Sequence, residues 1–205
     1  MRDVMMNSLS KYSFRLRRSF SRWKRDVRGV GAVEFAIIAP LMLVMFFGMI
    51  DISMGVAADR KVTVIAQSMA DLASRYARAS DTDISNFLAI GDAMLAPYPT
   101  TDLNITISQI YLDPGSNGAG KVYWSKGDQP LDLTKTVTVP AGLVKKDSSG
   151  AIVADQYLIL AQATYLYKPI IGYVVAKAGI TLNDVTFSRP RKSVCVYYSA
   201  TDDCK

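Results

Sequence analysis

Between Val30 and Ile50 the chain carries one charge, Glu34, and from Phe35 onward none until Asp51. A helix over that run rises about 31 Å, which matches a hydrocarbon core about 30 Å thick. Pro40 lies inside it. Proline would kink a helix in water, but membrane helices tolerate it because neighbouring groups re-satisfy the freed backbone. The competing reading is the buried helix of a soluble protein. The flanks weigh against it, because Lys and Arg crowd one side and Asp51 stops the run on the other. A transmembrane helix over 30–50 is the expectation.

Charge supplies the orientation. The net charge is +6, yet residues 1–28 hold nine Lys/Arg and two Asp, so the remainder is close to neutral. A basic tail can bind nucleic acid. Here it abuts an apolar span, and a topology signal is the better reading; no nucleic-acid partner is expected. Asp51, Asp59, Arg60 and Lys61 follow the span with no basic excess. The tail therefore stays in the cytoplasm and residues from about 51 onward are exported. A cleaved secretory signal competes, since Val56-Ala57-Ala58 offers the small residues a signal peptidase reads. Its basic region would be unusually long, and it leaves Glu34 unexplained. Cys195 and Cys204 would lie outside, where a disulfide is expected, worth somewhat under ~3 kcal/mol on the chain-entropy account. Two free thiols are the alternative. With no His and no second Cys pair, they do not resemble a zinc site.

Gly29, then Val30-Gly31-Ala32-Val33, then Glu34 and Phe35 ahead of a long apolar helix, resembles a type IV prepilin cleavage motif. The wider segment, through Ala36-Ile-Ile-Ala-Pro40 to Gly48 and Asp51, resembles the TadE/TadG family of tight-adherence (Tad/Flp) pilus proteins. Ala93-Met-Leu-Ala-Pro-Tyr98, a Tyr-rich strand ending at Lys168-Pro169, and Arg189-Pro190-Arg191 fit it more loosely. The resemblance implies a membrane aspartyl peptidase, the prepilin peptidase, cutting between Gly29 and Val30. It implies other pilin or Tad pilus subunits and the inner membrane as further partners. Asp51 is the span-end acid, where the family often has Glu.

Glu34 can be argued on its own chemistry. A carboxylate about one turn inside a membrane is costly and usually has a partner. Cleavage would create an α-amino group at Val30. In pilin-like assemblies the partner amine belongs to the neighbouring subunit, so the pair, with Phe35 beside it, sets register. The bland alternative is a glutamate that snorkels to the interface or pairs with Arg28. Ala32, Ala36 and Ala39 give the helix a small-residue face suited to close packing, a weak signal in a membrane helix.

Beyond the span, Val62, Ile65, Met69, Leu72 and Tyr76 recur at helical spacing. One nearly continuous helix from about 31 to 79 follows, its second half amphipathic and packed on the protein's own globular part. Ser80-Asp81-Thr82-Asp83 offers caps for a helix to about Leu95, ended by Pro97 and Pro99. Strands are predicted at Leu103–Ile110, Lys121–Ser125, Lys135–Val139 (an edge), Tyr157–Tyr167 (a candidate centre) and Leu182–Phe187. Residues 141–150 read as turn-rich, and 170–178 as a short helix or apolar loop. The Gly-rich stretch 115–120 lacks the Lys-Ser/Thr of a phosphate cradle and reads as a hairpin connection. Tyr165, Tyr167, Tyr173, Tyr197 and Tyr198 read as strand residues before they read as a binding face.

The expected fold is α+β: a long N-terminal transmembrane and amphipathic helix, then a small antiparallel sheet domain. The segments are a basic leader (1–29), a span (30–50), a helical extension (51–80) and an exported domain (81–205). No cofactor, metal or catalytic residue is expected, since no nucleophile–base constellation is in view. The functional expectation is a pilin-like minor subunit or assembly factor of a Tad/Flp-type pilus. The alternative is an unprocessed, membrane-anchored scaffold of the cell envelope.

Overall fold

The structure, a computed structural model, describes residues 29–115, 118–169, 179–198 and 204. The expectations for the basic leader, Arg28, Tyr173 and segment 170–178 lie outside those residues. The described residues fall into two units, one ending at Met49 and one beginning at Ile50.

One helix, α1, runs without a break from Val30 to Ser74, with Pro40 inside it. Within the first unit its described side chains are almost all exposed. In the second unit a stripe at helical spacing, Val62, Ile65, Ala66, Met69, Ala70 and Ala73, is fully buried. The helix ends at Ser74, short of the expected 79. The Ser74 hydroxyl donates to the Asp71 carbonyl, and the Ser74 carbonyl accepts the Arg191 N–H at 2.9 Å. Arg78–Ala79 then form a two-residue strand, β1.

Helix α2 spans Asp81–Leu95. Ser80 and Asp83 form a reciprocal capping box: the Asp83 N–H donates to the Ser80 hydroxyl at 3.2 Å, and the Ser80 N–H donates to the Asp83 carboxylate at 2.9 Å. Hydrogen bonds from the Ser80 hydroxyl and then its N–H hold the Asp83 carboxyl below its usual pKa. The helix stops before a cis Ala96–Pro97 bond.

Strands β2 (Leu103–Leu112), β3 (Ala119–Gly127), β4 (Thr136–Thr138), β5 (Gln156–Tyr167) and β6 (Ile180–Ser188) form an antiparallel sheet in the order β4-β3-β2-β5-β6. The architecture is α+β, as expected. β4 is an edge. β5 is the longest strand, but β2 is the middle one, because two strands extend the sheet beyond β2 on its far side and only β6 lies beyond β5.

Each sheet face has its own core. On one, Ile105, Ile107, Ile159, Ala161, Ala163 and Tyr165 meet the α1 stripe and Ile84, Phe87 and Leu95 of α2. On the other, Ile110, Leu112, Val122, Leu158 and Leu160 are covered by Leu131, Leu143, Val144 and Phe187. A register shift at Gln109/Ile110 puts an extra residue, Tyr123, into β3, so Val122 and Trp124 join opposite cores although they are two apart. Residues 141–152 cover this second face with a 3₁₀ turn, Ala141–Leu143, and a bridge between Lys146 and Ile152.

A seventh strand, β7 (Tyr197–Tyr198), pairs in parallel with β1 and was not expected from the sequence. Two residues carry too little pattern to read. The strand is held instead by long-range bonds: the Val196 N–H donates to the Gln109 side chain at 2.7 Å, and the Trp124 indole N–H donates to the Val196 carbonyl at 3.0 Å.

Candidate functional site

The site most open to partners is the N-terminal half of α1. Its most apolar eighteen-residue stretch has no buried residue. Phe35 is 69% exposed and Met45 68%. Glu34 stands four residues after Val30, so the two occupy one face of the helix. It is the only glutamate in a chain of eighteen acids. Gly29 and Gly31 lie in open space, where an added Cβ would meet nothing within 4 Å. Among the described residues nothing imposes a steric need for glycine at either position.

The second unit begins with the turn Asp51–Gly55, and two tyrosines from distant elements close over it. Tyr167, at the end of β5, donates its hydroxyl to the Asp51 carbonyl at 3.1 Å. Tyr98, just past the end of α2, donates to the Met54 carbonyl at 2.9 Å. Their ring centroids are 6.3 Å apart. Gly55 is small for a reason, since an added Cβ would sit 3.3 Å from the Tyr167 ring. Burial, and next the charge of Asp51, push the Tyr167 phenol above its usual pKa. Asp51 itself is only 9% exposed. Around the same turns of α1, Ile52 (70%), Met54 (43%) and Val56 (50%) stay open. The Ala93–Tyr98 piece and the Tyr-rich strand are separate in the sequence, and no local pattern there signals that both tyrosines meet α1.

At the far end of α1, the Arg191 guanidinium contacts the Asp71 carboxylate at 2.5 Å, and Arg189 donates to the Leu143 carbonyl at 2.5 Å. The Arg189-Pro190-Arg191 piece thus fastens the chain after β6 onto α1 and onto the cover of the second core. Cys195 is fully buried and forms a disulfide with Cys204, the Cα atoms 6.1 Å apart. Among the described residues no three His, Cys, Asp or Glu gather into a metal-binding group. Gly29, Val30, Glu34 and Phe35 form one continuous patch. Asp51 belongs to the tyrosine-covered turn.

A long apolar helix, exposed along its N-terminal half and followed in the chain by an antiparallel sheet domain, defines a class of proteins with an N-terminal helix suited to membrane anchoring, and among the described residues there is one such helix. Residues 29–75 match the family model described as TadE-like protein. The match begins at the glycine of the motif and ends one residue past α1. The matched family is a structural and assembly family associated with Tad pili and is not known for enzymes. No curated protein and no solved structure matches the chain.

Proposed function

We propose that this chain is a pilin-like minor subunit or assembly factor of a Tad/Flp-type pilus, anchored by α1 in the inner membrane with its sheet domain in the periplasm. The observation that carries the reading is the bare N-terminal half of α1 within a TadE-like segment that starts at Gly29. An apolar helix that no described residue covers needs lipid or other helices around it. A prepilin peptidase cuts between Gly29 and Val30. No described residue crowds Gly29, which supports this role, because a glycine there then answers to the peptidase. The new amine at Val30 lies one turn from Glu34 and is available to the Glu34 of a neighbouring subunit. Packing of the helices then brings opposite charges together at one axial offset, with Phe35 beside them. In the oxidising periplasm the Cys195–Cys204 pair is a disulfide.

N-terminal sequencing of protein recovered from cells is the test. The mature chain is expected to begin at Val30, and Gly29→Trp is expected to abolish that product and leave a slower-migrating band. Chains that begin at Met1 and are absent from sheared fibres would instead establish the unprocessed envelope scaffold.

A further inference from the structure

We infer that the lipid-facing part of α1 extends past Asp51 to Val56, so that the tyrosine-covered turn sits at the depth of the outer-leaflet acyl chains. The inference rests on the reading of α1 as a membrane anchor. Along the helix, Met45, Met49, Ile52 and Val56 follow at alternating four- and three-residue steps, which keeps them on one face. All four are at least half exposed. The same step next reaches Asp59, an exposed acid with Arg60 beside it. Charge on this face therefore begins at Asp59.

Asp51 does not interrupt that face. It is buried, and the Tyr167 side chain lies over its turn. Ionisable groups at membrane depth persist when they face protein. The tyrosine hydroxyls are already paired with the Asp51 and Met54 carbonyls, so they carry no unsatisfied polar tip to that depth.

Length separates this placement from a span over 30–50. From Phe35 to Val56 the helix rises about 33 Å, which a modest tilt fits to a core about 30 Å thick. Both placements satisfy thickness, but they treat charge and apolar surface differently. A span over 30–50 puts Glu34 in hydrocarbon and leaves Ile52, Met54 and Val56 in water. A span over Phe35–Val56 puts Glu34 at the cytoplasmic interface, puts Asp59 at the outer one, and gives the three apolar side chains lipid. Glu34 then remains available for pairing when subunits assemble.

The experiment uses the full chain with its cysteine pair oxidised. Single nitroxide labels are placed through Met45→Cys, Ile52→Cys, Val56→Cys and Gln67→Cys, all exposed positions where a label displaces no core residue. The protein is reconstituted at low density into phosphatidylethanolamine–phosphatidylglycerol vesicles. Collisions are then measured with oxygen, which partitions into lipid, and with a nickel chelate, which stays in water. Positions 52 and 56 are expected to match position 45, with high oxygen and low nickel access, and position 67 to show the reverse. High nickel access at 52 and 56 with a lipid-like 45 overturns the inference and leaves the anchor intact. Low access to both reagents at 52 and 56 means protein cover and also overturns it. A water-like position 45 removes the anchor reading and this inference together. If Val56→Cys does not fold, Met54→Cys reports on the same turns.

Discussion

Glu34 is a residue whose cost is meaningful only relative to a surrounding. Among the described residues nothing covers it, and the apolar surface around it suits lipid or neighbouring helices. In the proposed assembly its charge matters between subunits and not for insertion. Glu34→Gln keeps the shape and removes the charge. Membrane fractionation is expected to show normal insertion, while the pilus yield falls sharply; normal yield would count against the register role. Asp51 makes the opposite case. In the sequence both acids bound the same apolar run, yet one is bare and the other lies under a tyrosine. Nothing local distinguishes them. Tyr167 lies 116 residues from Asp51, so its approach is set by the path of β5.

The element scale is where α1 divides. It is one helix with two surroundings, bare before residue 50 and stripe-buried after Ala58. The periodicity of Val62, Ile65 and Met69 was legible because a half-buried helix must place apolar groups every three or four residues. The strands were legible for the same reason at period two, and Ser80 with Asp83 announced a helix start. Ile65 is fully buried between α1 and the sheet. Ile65→Ala is expected to destabilise the domain by about 2–5 kcal/mol in denaturant melts. Val44→Ala, on the bare half of the same helix, is expected to leave the domain's melt unchanged. Equal losses would mean the two halves share one core. The end of α1 was less legible: helical propensity does not stop at Ser74, and the stop is set by Arg191 and by the pairing of β1 with β7.

For the whole molecule, the long-range strand pairings and both described hydrophobic cores lie in residues 50–205. A fragment of those residues is expected to show a cooperative thermal transition by circular dichroism; a gradual one would mean the domain depends on the span. The sequence by itself determined that the chain has an apolar helix able to cross a membrane, a pilin-like motif at its start, and an α+β domain after it. Those features are written in local composition and period, because lipid and a half-buried surface each demand a pattern within a few turns. The tertiary structure alone decided which acid is covered, where α1 stops, that β2 and not β5 is the middle strand, and which tyrosines touch α1. Each of those depends on residues brought together from far along the chain, and no local pattern records which distant side chain will arrive.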